Sequence, residues 1–309
     1  MTGRIAWVAV DWGTSRLRAW ALDAGGRILA RRQADEGMGG LTPEAFEPVL
    51  LSLLEPWRVT GERLNVVACG MVGARQGWIE AAYAPVPCAP LAGDRFIRAP
   101  TRDPDLAVLI VPGLSQAQPA DVMRGEETQI AGLLAERPDF EGALCLPGTH
   151  SKWVAVAGGR VRRFMTCMTG ELFALLAQHS ILRHSLNGTA DGAEPFEAAA
   201  FEAAVTDTLG RPGGAAERLF AIRAGDLLHG ETAAAARARL SGALIAQELD
   251  AARSYWQGKT VVMLGAEPLV AHYARALALA GGTGERVDGE ELTVAGLRAA
   301  AALAGGEEG

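Results

Sequence analysis

Residues 8–32 read VAVDWGTSRLRAWALDAGGRILARR, and residues 144–164 read LCLPGTHSKWVAVAGGRVRRF. Each stretch opens with an apolar run of strand length, turns at Gly-Thr, continues as a second strand, turns again at Ala-Gly-Gly-Arg and leaves as a third. Eight residues separate Gly13-Thr14-Ser15 from the first Ala-Gly-Gly-Arg, and six separate Gly148-Thr149-His150 from the second. The difference is even. Because strand side chains alternate with period two, an even difference keeps the face that each strand presents. The pair predicts an internally duplicated three-stranded meander.

Working outward, residues 42–57 carry Pro43 near the start and apolar residues at helical spacing, and VVACGMVG at 66–73 returns to strand character. After a Pro- and Arg-rich loop at 83–104 comes the apolar LAVLIVPGL at 106–114, then EETQIAGLLAE at 126–136, a helix with an acidic first turn. Residues 170–257 are mostly helical, with loops at 187–195 and 210–214. A buried strand, a Gly turn and a helix follow at 260–282, then a short strand ending near Val287, a helix at 290–304 and a loose GGEEG tail. The expected domains are 1–118, joined by helix 290–304, and 119–289 with a helical insertion.

The chain has 309 residues, long for one core and comfortable for two. Hydrophobic residues make up 49% and charged residues 21%, so a soluble globule is expected. The net charge of −7 disfavours a nucleic-acid partner bound by bulk charge. No stretch approaches the roughly 18 apolar residues of a membrane span, and the N-terminus lacks a leader pattern, so no membrane association and a cytoplasmic location are expected. Cys69, Cys88, Cys145 and Cys167 form no C-x-x-C pair, which excludes a zinc ribbon or redox motif and leaves reduced thiols.

Several nucleotide and nucleophile motifs fail on inspection. Gly258-Lys259-Thr260 resembles the end of a P-loop, but Arg253 stands where Gly is required and the segment precedes a strand. The glycines at 281, 282 and 284 are followed by Val287 where a dinucleotide fingerprint needs Gly. Gly113-Leu114-Ser115-Gln116-Ala117 lacks the closing Gly of a nucleophile elbow.

Four segments remain. Asp11-Trp12-Gly13-Thr14-Ser15 closes a strand with a carboxylate, exposed backbone N–H groups and two hydroxyls, a set suited to phosphate oxygens and a hydrated Mg²⁺; a plain polar hairpin turn is the alternative. Pro147-Gly148-Thr149-His150-Ser151-Lys152 occupies the same place in the second copy. Arg124-Gly125-Glu126-Glu127 opens a helix, where the acids are either dipole partners or a general base for a hydroxyl. Leu264-Gly265-Ala266-Glu267-Pro268 lies between a strand and a helix, a plain turn or one that admits a base or ribose against bare backbone.

Taken in order, these segments resemble the sugar-kinase and actin ATPase superfamily. More narrowly, DWGTSRLRAW at 11–20, GMVGARQGW at 70–78, MRGEETQIAG at 123–132, LPGTHSKW at 146–153 and TCMTGELFALL at 166–176 resemble the 2-dehydro-3-deoxygalactonokinase family. The resemblance implies an α/β fold of two duplicated actin-like (ribonuclease H-like) domains flanking a nucleotide and substrate cleft. It implies ATP-dependent phosphorylation of 2-dehydro-3-deoxy-D-galactonate to its 6-phosphate in galactonate catabolism, with ATP and Mg²⁺ as cofactors and a small sugar acid as partner.

On that resemblance Asp11 organises Mg²⁺ through water, Gly13, Thr14 and Ser15 line one side of the phosphates, and Gly148, Thr149, His150 and Lys152 the other. Gly265 and Ala266 replace the superfamily's usual Gly-Gly at the nucleotide turn. Glu126, or as second choice Glu127, stands where related kinases usually carry Asp as the base. Arg75 and Arg124 are candidates for the substrate carboxylate, since the guanidinium fork binds both oxygens. Gly39, Gly70, Met71, Gly73, Trp78 and Thr169 are expected on the sugar side, Trp78 with core packing as its alternative. The competing readings are a kinase of another small sugar or sugar acid on the same fold, and a noncatalytic ATP-driven switch. A homodimer is left open.

Overall fold

The computed structural model describes residues 3–187, 196–211 and 213–305, so most of the loop expected at 187–195, one residue of the loop at 210–214 and nearly all of the tail lie outside the described residues. The chain divides into two compact units. The first takes the described residues up to Phe140, Val156–Arg163 and those from Gly289 onward; the second takes Glu141–Ala155 and Phe164–Asp288.

In the first unit, β1 (Trp7–Trp12), β2 (Leu17–Leu22), β3 (Ile28–Ala34) and β4 (Leu64–Gly70) precede the short β5 (Ala84–Pro85) and β6 (Ile97–Arg98), then β7 (Leu106–Ile110), β8 (Leu114–Gln116) and β9 (Asp121–Met123). Six of them form a sheet in the order β3-β2-β1-β4-β7-β6, and β5, β8 and β9 form a small second sheet. β1 is antiparallel to β2 and parallel to β4, which is parallel to β7. Period-two alternation explains the layers. Val8, Val10, Leu17, Ala19, Val66, Ala68, Val108 and Ile110 meet Phe46, Leu50 and Leu54 of helix α1 (Phe46–Leu54). The alternate positions Ala9, Trp20, Leu22, Val67 and Cys69 meet Ala131 of α2 (Glu126–Glu136) and a second helix's Val294, Leu297 and Ala300. Strands covered on both faces are apolar throughout, which is why 106–110 reads as a continuous run.

In the second unit, β10 (Gly142–Leu146), β11 (Ser151–Ala157) and β12 (Arg160–Cys167) are followed by helices α3 (Thr169–His179), α4 (Arg183–Leu186), α5 (Ala198–Gly210), α6 (Ala215–His229), α7 (Ala233–Ala251) and α8 (Arg253–Trp256), then β13 (Val261–Gly265), α9 (Leu269–Leu279) and β14 (Gly284–Asp288). The sheet order is β12-β11-β10-β13-β14, with β10, β13 and β14 parallel. It repeats the first sheet's β3-β2-β1-β4-β7 order, so the duplication extends beyond the meander. The last helix, α10 (Gly289–Gly305), belongs to the first unit.

The two Ala-Gly-Gly-Arg turns differ. In the second copy Gly158 and Gly159 have φ of 59° and 66°, the two-residue hairpin that needs positive φ twice. In the first, only Gly26 is positive at 79°, and Asp23 closes a longer turn by accepting from the backbone N–H of Gly25 and Arg27. The longer turn takes up extra residues and β2 carries a register shift at Ala21/Leu22, so the spacing of the two copies differs without exchanging faces.

The chain passes to the second unit after Phe140 rather than near 118, because 114–123 forms the β8–β9 hairpin and α2 packs on α10. The 156–163 tip groups with the first unit through paired backbone bonds between Cys88 and Val161. Among the described residues, no helix is long and apolar enough to cross a membrane.

Candidate active site

Asp11 lies near the carboxyl end of β1, the end at which parallel α/β sheets bind ligands. By strand parity it shares the face of Ala9, the face covered by α2 and α10. The two helices open with Glu126 and Glu127, and with Gly289 and Glu290. Asp11 therefore senses the charges of both Glu126 and Glu290. Burial pushes its carboxyl up, the Arg18 guanidinium opposes this, and the two glutamates add to it. Arg18, opposite Asp11 on β2, donates to Asp11 Oδ2 and also lies 3.4 Å from Glu290 Oε2, which Arg31 approaches to 2.5 Å. The Cys69 thiol reaches Asp11 Oδ1 at 3.9 Å.

The turn after β1 is closed by the Gly13 N–H donating to Arg16 O at 2.8 Å, and leaves Thr14 and Ser15 exposed. It is braced from behind: the Met38 N–H donates to Gly13 O at 3.0 Å and the Gly39 N–H to Thr14 O at 2.9 Å. Gly39 thus supports the turn at 13–16 directly.

Gly70 ends β4 with φ 89°, and residues Met71–Gly73 form a single 3-10 turn. Trp78 is a core residue, 7% exposed and stacked on Phe46 at 6.2 Å. Arg75 is exposed and lies 3.6 Å from Glu80. Arg124 is the opposite case: it is buried over the Tyr83 ring at 4.3 Å, and its Nη2 donates to Ala81 O at 2.7 Å. Its Nε and Nη1 are buried without a hydrogen-bond partner. A Cβ on Gly73 would stand 2.9 Å from Nη1, so glycine makes the room that the buried guanidinium occupies.

The acidic pair is split by environment. Glu126 is partly exposed and accepts from the Arg124 N–H at 3.0 Å. Glu127 is fully buried, accepts from the Gly125 N–H at 2.6 Å and from the Thr128 hydroxyl at 3.0 Å, and is pushed up to about 8 by burial with the Glu126 charge adding. At neutral pH Glu127 is predominantly a neutral acid.

In the second unit, the turn at 147–150 follows β10 and the turn at 265–268 follows β13, adjacent parallel strands whose carboxyl ends meet at one edge. Ala266 is exposed and Gly265 partly so. Space beside Gly148 is open, and α3 lies over the turn: a Cβ on Gly170 would stand 2.4 Å from Gly148 O, and the Glu171 N–H donates to Thr149 O at 3.0 Å. His150 Nε2 lies 2.5 Å from Glu171 Oε2. Lys152 is buried and its Nζ donates to His150 O at 2.9 Å, so it holds the turn's backbone. Thr169, at the first position of α3, is buried and donates to Glu248.

Among the described residues no group of three or more His, Cys, Asp or Glu is placed to hold a metal ion. Asp11 offers one oxygen-donor carboxylate already engaged by Arg18. That donor chemistry fits Mg²⁺, which keeps several waters and is bound through one carboxylate plus substrate phosphates, and does not fit an all-protein cage.

Arg18, Glu290, Glu171 and Glu248 escaped sequence reasoning. Arg18 was legible in principle, since it lies an odd number of residues from Asp11 across a short hairpin. Glu290 meets Arg18, Glu171 meets His150 and Glu248 meets Thr169 only through tertiary packing.

A sequence profile of the 2-keto-3-deoxy-galactonokinase family matches residues 11–300. A curated protein of Rhizobium meliloti (strain 1021), named "Probable 2-dehydro-3-deoxygalactonokinase DgoK1", is 43% identical over 309 residues, covering 97% of this chain and 98% of its own length. The Escherichia coli (strain K12) protein named 2-dehydro-3-deoxygalactonokinase is 34% identical over 305 residues, with 97% and 98% covered. A crystal structure from Sinorhizobium meliloti, provisionally assigned as the same kinase, superposes with a TM-score of 0.87 at 42% identity, covering 96% of this chain and 98% of that one.

Proposed function

The chain belongs to the 2-keto-3-deoxy-galactonokinase family, and on that premise we propose that it transfers the γ-phosphoryl group of ATP to the 6-hydroxyl of 2-dehydro-3-deoxy-D-galactonate, in the cytoplasm, as a step of galactonate catabolism. The observation that carries the mechanism is the split acidic pair: two adjacent glutamates, one partly exposed on the face that holds Asp11, the other sealed and neutral.

Glu126 is the base. Its carboxylate is oriented by the Arg124 N–H and accepts the proton of the attacking hydroxyl. The hydroxyl oxygen forms its bond to the γ-phosphorus as the bond to the bridging oxygen breaks, and ADP leaves with that electron pair. Phosphoryl transfer through a loose transition state needs alignment and late proton removal more than a strong base, so an ordinary carboxylate suffices. Glu127 caps the Gly125 N–H and holds the first turn of α2 in place. Asp11 would hold Mg²⁺ through water, and the ion would supply neutralisation of phosphate charge.

Gly13, Thr14 and Ser15 in the first unit, and Gly148, Thr149 and His150 in the second, supply phosphate donors. Gly265 and Ala266 take the nucleoside. Arg124 is the better carboxylate ligand of the two arginines, because its Nε and Nη1 are desolvated and lack an acceptor while Arg75 already has Glu80 in solvent.

The test is ATP consumption with Mg²⁺ against a panel of 2-keto-3-deoxy sugar acids and neutral sugars. 2-Dehydro-3-deoxygalactonate is expected to be the best substrate. Glu126→Gln should lower kcat by about 10²–10⁴-fold while ATP still binds, and Glu127→Gln should lower it far less. Arg124→Gln should raise KM for the acid, and Arg75→Gln should not. Preference for a neutral sugar, or full activity in Glu126→Gln, would refute the assignment.

A further inference from the structure

We infer that Glu248 is a positioning residue for the nucleotide phosphates, a buried carboxylate on α7 whose hydrogen bonds fix the turn at 147–150 and the first turn of α3 above it. The inference rests on the kinase reading.

α7 is an Ala-rich helix whose neighbouring Ile245, Ala246 and Leu249 belong to the apolar core. Glu248 is 3% exposed among them. Removing a carboxylate from water is costly, and an apolar residue of similar volume fills such a position without that cost, so packing does not demand an acid here. What the acid provides is acceptors. The Trp153 indole N–H donates to Oε1 at 2.8 Å, the Tyr273 hydroxyl donates to Oε2 at 2.7 Å, and the Thr169 hydroxyl donates to Oε2 as well. The Ser151 hydroxyl lies 2.8 Å from the Tyr273 hydroxyl and extends the chain.

Each donor stands beside a ligand-facing segment. Ser151 and Trp153 begin β11 directly after the turn at 147–150. Thr169 precedes Gly170 and Glu171, which touch Gly148 O, Thr149 O and His150. Tyr273 lies on α9, which the turn at 265–268 leads into. One carboxylate thus joins the segments that carry both nucleotide turns of the second unit. Glutamine is not equivalent: with its oxygen toward the Trp153 N–H its NH₂ faces Thr169 and Tyr273, whose hydroxyls must then turn from donors into acceptors, and the charge-assisted bonds of the carboxylate are lost.

The experiment compares wild type, Glu248→Gln and Tyr273→Phe by equilibrium titration with Mg·ATP and by steady-state kinetics with each substrate varied in turn, thermal unfolding reporting the fold. The ATP Kd and KM should rise about tenfold in Glu248→Gln and about threefold in Tyr273→Phe, with the sugar-acid KM within about twofold of wild type. An unchanged ATP Kd in folded Glu248→Gln overturns the inference, as does a parallel rise of both KM values. If Glu248→Gln does not fold, Tyr273→Phe decides by the same criteria. Wild type that binds ATP but phosphorylates nothing refutes the kinase reading while the Kd comparison still judges Glu248; wild type that binds no nucleotide refutes both.

Discussion

Glu126 and Glu127 are neighbours in the first turn of α2, and only Glu127 is fully removed from water. Its folded-state pKa of about 8 lies above the ordinary 4.5, so folding favours its protonated form. The stability this contributes is complete below about pH 4.5, where the unfolded chain also carries the proton, and is lost as pH rises to about 8. Glu127→Gln cannot ionise. Thermal unfolding at pH 5 and pH 8.5 should therefore show wild type losing stability on the order of a few kcal/mol across that range and the variant losing less. Equal slopes would mean that Glu127 is ionised in the native protein. The same residues mark how far the site could be read beforehand. MRGEETQ identifies the acidic pair, but which acid faces water is decided by the helix phase against α10, and that information resides near residue 290.

At the scale of elements, α2 and α10 cross with backbones in contact. A Cβ on Gly132 would stand 2.0 Å from Leu292 O, and one on Gly296 would stand 1.9 Å from Thr128 O. Alanine normally stabilises a helix over glycine by about 1 kcal/mol, and here the sign should reverse. Gly296→Ala must part the helices and should cost roughly 1–3 kcal/mol, whereas Gly210→Ala at the end of α5, with open space around it, should be neutral or stabilising. Chemical denaturation of the two variants checks the contrast. Most of the elements were legible because their patterns are periodic: β1, β2, β4 and β7 have both faces covered, and α2 runs over the residues its acidic start and apolar spacing indicate. The 42–57 segment is less regular than its spacing suggests. Pro43 and Pro56 each fall in a 3-10 turn, so the α-helix proper is confined to Phe46–Leu54.

At the scale of the whole molecule, the duplication was visible in two short strings because each encodes a strand pair and its turns. The assignment of segments to units was not, since residues 114–123 look like a linker until β8 and β9 pair. α10, the 290–304 helix expected with the first domain, lies over the sheet begun at residue 7. Val294, Leu297 and Ala300 cover Ala9, Trp20, Leu22, Val67, Cys69 and Val111. A chain ended at Asp288 should therefore keep its second unit and expose that apolar face, read as increased binding of a hydrophobic dye and loss of the first unit's amide protection in hydrogen exchange. Native-like protection of β1 and β4 in that truncated chain would show that α10 is dispensable.

Every molecule passes through that truncated state once. The last residue of the second unit is Asp288, and the helix that closes the first unit begins one residue later. On the ribosome the order of completion is thus inverted: the unit begun second has its whole sequence first, while the unit begun first waits with one face of its sheet bare until α10 emerges. The interval in which a nascent chain is open to misassociation therefore includes the translation of the whole second unit, and it closes only when Leu297 and Ala300 reach Trp20, Val67 and Val111.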